Sequence, residues 1–136
     1  MNPILLDTHA AIWTFAGKLK PETARLVEGA ASRGELLVSP ITAWEIGILV
    51  RKQRVSLAMA VEDFVPALFA LPGVVLAALT PAIAVAATAL PDDVSADPAD
   101  RILIATAGAY GARFVTRDRR IRRYAISTTH LRCVAC

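Results

Sequence analysis

The chain has 136 residues, enough for one domain and too few for two comfortable cores, so we expect a single domain over 1–136. Hydrophobic residues make up 55% and charged residues 20%, which excludes intrinsic disorder, and 26 alanines favour closely packed helices over an aromatic-rich β-sandwich. The net charge of +3 says less than its distribution: 113–132 hold seven Arg against one Asp, while the rest holds eight basic against eleven acidic residues, a split that suggests a polyanionic partner.

In chain order, Pro3-Ile4-Leu5-Leu6 predicts a short buried strand, and an apolar helix follows over about 8–16 until Gly17. Pro21 opens a second helix, with Ala24, Leu26, Val27 and Ala31 inside and Gly34 closing it. Leu36-Leu37-Val38 is a second strand. Ser39-Pro40, an N-cap followed by proline, starts a helix to about Lys52. A further helix is expected over about 61–71, a strand over 74–79, and a helix from Thr80-Pro81 that stops before Pro91. Asp97-Pro98 opens a helix ending near Gly108 to Gly111. After it come a strand over 113–116, an arginine-rich turn or helix, and a last strand over 126–131. Short apolar strands alternating with helices predict an α/β fold, a parallel sheet covered on both faces.

The apolar stretch over 64–90 is broken by Pro66, Pro72, Gly73 and Pro81, short of the ~20 residues a membrane span needs. No basic segment precedes Ile4, and Asp7 and His9 follow at once, so we expect no signal peptide and a cytoplasmic protein. Cys133 and Cys136 are too few for a disulfide framework and fit a reducing compartment. With His130 they form H-x-x-C-x-x-C, one ligand short of a structural zinc site. Trp13 and Trp44 read as core residues on helical faces, and Ile41, Trp44, Ile48 and Leu49 define an apolar stripe.

Four carboxylates fall where strands end or helices begin: Asp7, Glu45, Asp100 and Asp118. Each has an ordinary alternative, as a helix cap, a turn residue or a Glu at the edge of an apolar stripe. In an open parallel sheet, however, ligands bind outside the carboxyl ends of the strands. Acids gathered there repel unless a cation compensates, and all-oxygen ligation suits Mg²⁺ or Mn²⁺.

Leu5-Leu6-Asp7-Thr8-His9, Ser39-x-x-x-x-Trp44-Glu45-Ile46, Asp97-Pro98-Ala99-Asp100-Arg101 leading into Ile104-Ala105-Thr106-Ala107, and Val115-Thr116-Arg117-Asp118 occur in that order. Together they resemble the PIN-domain nucleases, specifically the VapC-like toxins of bacterial toxin–antitoxin pairs, from Leu5 to about Tyr124. The resemblance implies a three-layer α/β/α sandwich around a short parallel sheet and an endoribonuclease dependent on Mg²⁺ or Mn²⁺. The family's four acids fall on Asp7, Glu45, Asp100 and Asp118, as catalytic and metal-binding residues. Thr116 would support the site, as would Thr8 beside the first acid. Ala99 stands where many relatives carry an aromatic residue.

A metal-activated water would hydrolyse RNA phosphodiester bonds, with Arg117, Arg119, Arg120, Arg122 and Arg123 holding the RNA. The resemblance also implies a homodimer and a cognate VapB-like antitoxin that occludes the site. Apolar side chains over 61–90 would supply surface for either contact. Two other readings compete. A receiver-type phosphoacceptor module would want a Lys at a strand end near the acids, and Lys18, Lys20 and Lys52 are not so placed. A catalytically silent RNA-binding domain would bind RNA equally well without metal.

Overall fold

The computed structural model describes residues 2–136. Its elements are β1 (Ile4–Leu6), α1 (Thr8–Ala16), α2 (Pro21–Ser32), β2 (Leu36–Val38), α3 (Pro40–Arg51), α4 (Val61–Phe69), β3 (Val74–Leu76), α5 (Pro81–Thr88), α6 (Pro98–Tyr110), β4 (Arg113–Thr116), α7 (Arg119–Ser127) and β5 (Arg132–Ala135). The helix starts follow from local chemistry. Ser39, Thr80 and Asp97 each cap a helix whose next residue is proline, and their side chains accept from Ile41 N, Ile83 N and Ala99 N. Gly17 and Gly111 end α1 and α6 at φ of 68° and 61°, a left-handed conformation that glycine adopts without steric cost.

The five strands form one parallel sheet in the order β3-β2-β1-β4-β5. The chain runs outward from β1 to β3, then crosses back to lay β4 on the other side of β1. Connections therefore diverge between β1 and β4 and open a crevice at their carboxyl ends, where Asp7 follows β1 and Thr116 ends β4.

Strand alternation divides the core in two. Ile4, Leu6, Leu36, Val38 and Val115 pack with Ala10, Ala11, Ile12, Val27, Ile46, Phe64 and Leu68 on one face. Leu5, Leu37 and Phe114 pack with Leu103, Ile104, Ala107 and Ile121 on the other. This is the expected α/β/α sandwich. Among the described residues no helix is long and apolar enough to cross a membrane.

Several local expectations need correction. Trp44 is 58% exposed and not core, because α3 touches α1, α4 and α6 and buries Thr42 and Ile46 rather than a single leucine-like stripe. Trp13, also read as core, is half-buried and packs against the core from its edge. Leu26 lies outward on α2, and Thr23 takes an inner position because its hydroxyl donates to Ala135 O at 2.6 Å. The third strand stops at Leu76, on an exposed sheet edge. The last strand is not at 126–131: α7 continues to Ser127 with Ile126 exposed, and pairing with β4 begins at Arg132.

Candidate active site

Three of the four predicted acids meet. Asp7, Glu45 and Asp100 each offer a carboxylate oxygen within 4.8 Å of the others. Asp7 is the N-cap of α1, only 8% exposed, with Oδ1 accepting from Thr8 N at 2.7 Å and Oδ2 from the Thr116 hydroxyl at 2.6 Å. Thr116 itself accepts from Asp118 N at 3.0 Å. Glu45 reaches in from the second turn of α3, and the Thr8 hydroxyl donates to its Oε1. Asp100, in the first turn of α6, accepts from the Ser95 hydroxyl at 3.0 Å. Both threonines expected to support the site therefore bond directly to its carboxylates.

Asp118 lines the same cleft of about 580 Å³ but stands outside the converging trio. Its Oδ1 caps α7 by accepting from Arg120 N and Ile121 N at 2.8 and 3.1 Å. Asp97, read in the sequence only as a cap, also lines the cleft. Ser95 escaped the sequence reading altogether. A lone Ser in an irregular loop carries no periodicity, and only its proximity to Asp100 reveals it.

Burial, then the nearby acids, set the electrostatics. Burial pushes Asp7 above the usual carboxylate range against its hydrogen bonds to Thr116 and Thr8. Glu45 is raised to about 7 by burial, with Asp7 and Asp97 adding repulsion against the bond from Thr8. Asp100 is raised to about 7 by burial and by the charges of Asp7, Asp97 and Glu45. No cationic side chain pairs with them: among the described residues the one ion pair is Arg33–Glu35, at 3.0 Å on the opposite rim of the sheet. Three convergent oxygens, raised in pKa and in no direct ion pair, fit a hard divalent cation.

The arginines divide. Arg117, Arg119 and Arg120 line the cleft. Arg117 lies 5.5 Å over the Trp13 ring with Nη2 3.3 Å from His9 Nε2, and burial with that guanidinium holds His9 below its usual pKa. Arg120 donates from Nε to Asp93 O at 2.9 Å. Arg123 faces a neighbouring hollow with Asp93 and Tyr124. Arg122 is half-buried, its Nε enclosed and without a partner, and it is not among the residues that line the cleft.

Cys133 and Cys136 are three residues apart at the end of an edge strand and face opposite layers: Cys133 packs against the layer that contains Leu5 and Phe114, Cys136 against the layer that contains Ile4 and Val115. They share no site, and burial pushes the Cys133 thiol up to about 12.

Fold and cleft together define an α/β protein with an acidic crevice at the switch point of a parallel sheet. The family model of the PIN domain matches residues 4–127, and the chain belongs to that family. It is 36% identical over 126 residues to Ribonuclease VapC22 of Mycobacterium tuberculosis, covering 91% of this chain and 93% of that protein. Its fold is similar to that of DNA-bound VapBC from Salmonella typhimurium, with a TM-score of 0.67 and 20% identity over 99% of this chain and 98% of the other. It is similar too to VapBC2 from Rickettsia felis bound to a promoter DNA fragment, with a TM-score of 0.69 and 12% identity over 97% of each chain.

Proposed function

We propose that this protein is a single-domain endoribonuclease over 1–136, dependent on Mg²⁺ or Mn²⁺, and the toxin of a VapBC-type toxin–antitoxin pair working in the cytoplasm. The observation that carries the reading is the convergence of Asp7, Glu45 and Asp100 within 4.8 Å at the sheet's switch point. The likeness to a protein named as a ribonuclease supports the choice of RNA.

Asp7, Glu45 and Asp100 would hold the cation, with Asp118 at the rim through water. A divalent cation bound there supplies Lewis acidity, for activating water and for neutralising charge on the phosphoryl group. The chain supplies the rest. Thr116 fixes one oxygen of Asp7, Thr8 fixes Glu45, and Ser95 fixes Asp100, so the carboxylates are ordered before any ligand arrives. The N-termini of α1, α6 and α7 end at this rim, and their dipoles offset part of the acid repulsion. Arg119 and Arg117 flank the acids and would hold the RNA backbone. The exposed apolar residues Leu76, Leu79 and Val85 offer surface for a second copy and for a cognate VapB-like antitoxin, as the VapBC complexes among the structural neighbours suggest.

Purified protein freed of its partner should cleave RNA with Mg²⁺ or Mn²⁺, stop with EDTA, and resume when the metal is restored. The double variant Cys133→Ser, Cys136→Ser should cleave as wild type, since neither thiol reaches the cleft. Cleavage that persists in EDTA would contradict the metal assignment.

The arginines make a separate prediction. For single-stranded RNA each lost phosphate contact changes the slope of log K against log salt by about 0.7. Arg119→Ala should flatten the slope by that amount, whereas Arg122→Ala, with its Nε enclosed, should leave it unchanged. Fluorescence anisotropy across a salt series, with Ca²⁺ in place of Mg²⁺, measures both. Equal slopes for Arg119→Ala and wild type would remove Arg119 from the RNA path.

A further inference from the structure

Arg101 follows Asp100 in α6 and makes five hydrogen bonds, every one to a main-chain carbonyl. Nε donates to Ala87 O at 3.2 Å, Nη1 to Pro91 O and Ser95 O at 3.1 Å each, and Nη2 to Leu90 O at 2.5 Å and Thr88 O at 3.5 Å. Ala87 and Thr88 lie in the last turn of α5, where carbonyls have no partner within the helix and the dipole is negative. One guanidinium thus closes the end of α5 and grips the irregular segment 89–97 in two places. Its five donors suit this fork-like role, which the single ammonium of Lys cannot reproduce. Among the described residues no carboxylate pairs with it.

The far end of the gripped segment touches the site. Ser95, whose carbonyl Arg101 holds, accepts from Asp97 N at 3.1 Å and donates its hydroxyl to Asp100 Oδ2 at 3.0 Å. Ser95 is 7% exposed, so water does not readily replace that bond. The hydroxyl occupies one lone pair of Asp100 and fixes the plane of its carboxylate against Asp7 and Glu45. Arg120 of α7 holds the same segment through Asp93 O.

We infer that Arg101 is a positioning residue for the metal site, which sets the carboxylate of Asp100 by clasping the 89–97 segment and acting through the hydroxyl of Ser95. The inference rests on the metal reading above and adds to it a device outside the acid cluster. Groups that orient a metal ligand from behind are worth about 10–100-fold in metal affinity.

The test is Mn²⁺ binding to the full chain, measured by the electron paramagnetic resonance signal of free Mn²⁺, with no RNA present. R101Q and S95A should each weaken binding about tenfold or more. R101K should fall close to R101Q, because charge without the fork does not restore five bonds. The double variant R101Q/S95A should bind no more weakly than R101Q, since both changes break one relay. S95A, which also frees Asp97 N, should lower the melting temperature by only a few degrees and stay fully folded at the assay temperature, which separates positioning from general loosening, and it carries the test if R101Q fails to fold. Wild-type affinity in S95A, or losses that add in the double variant, would overturn the inference while leaving the metal site standing. Failure of the wild type to bind Mn²⁺ would overturn the metal reading, and the inference with it.

Discussion

Asp7→Asn and Asp100→Asn should each lower RNA cleavage about a thousandfold with the fold intact. Stabilisation of phosphoryl charge by a bound metal is worth several kcal/mol, and each 1.36 kcal/mol is tenfold in rate. An amide keeps the size of the side chain but loses the charge that would hold the cation. Asp7 is the stricter position, being the more enclosed and bonded through both oxygens, to Thr8 N and Thr116. Its Asn variant keeps an acceptor for only one of those two donors, so a small loss of stability accompanies the loss of activity. Asp100→Asn has no such penalty, because its amide oxygen still accepts from Ser95. Single-turnover assays with circular dichroism on the same samples check both, and near-normal turnover by either variant would remove that residue from the chemistry.

Without metal, the melting temperature should fall as pH rises from about 4 through about 7 and level off near pH 8. The sign follows from linkage. Glu45 and Asp100 are raised to about 7 in the folded protein from 4.5 and 3.8. Between those limits the native state holds more protons than the unfolded state, so raising the pH favours unfolding. Discounted for solvent screening, the two groups amount to about 2 kcal/mol, or about 7 °C in a domain of this size. Mg²⁺ should recover the loss above pH 7, where both acids are ionised. Asp100→Asn should flatten the profile and melt at or above wild type at pH 8 without metal. A flat wild-type profile between pH 4 and 8 would contradict the crowding of these acids.

Most of the architecture was legible because its signals are local. Ser39-Pro40, Thr80-Pro81 and Asp97-Pro98 carry their own start chemistry, and each opens a helix at the expected residue. Short apolar strands with helices between them admit few arrangements. The misreadings share one cause, tertiary context. Trp44 reads as core from its spacing, but α3 packs on α1, α4 and α6 through other positions and leaves Trp44 to solvent. Leu26 gives way to Thr23 because a carbonyl of the distant β5 satisfies the hydroxyl. Residues 126–131 look strand-like, yet α7 runs on to Ser127 and only Arg132–Ala135 finds a partner in β4.

The site was legible to a similar depth. Acids at strand ends and helix starts could be picked out one by one, and three of the four converge. Asp118 shows the limit: its position at the end of β4 points to the crevice, but its Oδ1 is committed to capping α7. Ser95 and Arg101 were beyond reach, since their importance lies in which carbonyls and carboxylates they meet across a loop.

Asp7, Glu45 and Asp100 together should hold a divalent cation. Calorimetric titration of Mn²⁺ at pH 7 tests it most directly, run in two buffers of different ionisation enthalpy. Glu45 and Asp100, at about 7, are partly protonated at that pH and must lose their protons to bind metal. The account predicts saturable binding with proton release, seen as a difference in heat between the buffers, and loss of both in Asp7→Asn. Saturable binding that survives unchanged in Asp7→Asn, or binding with no proton release, would contradict it.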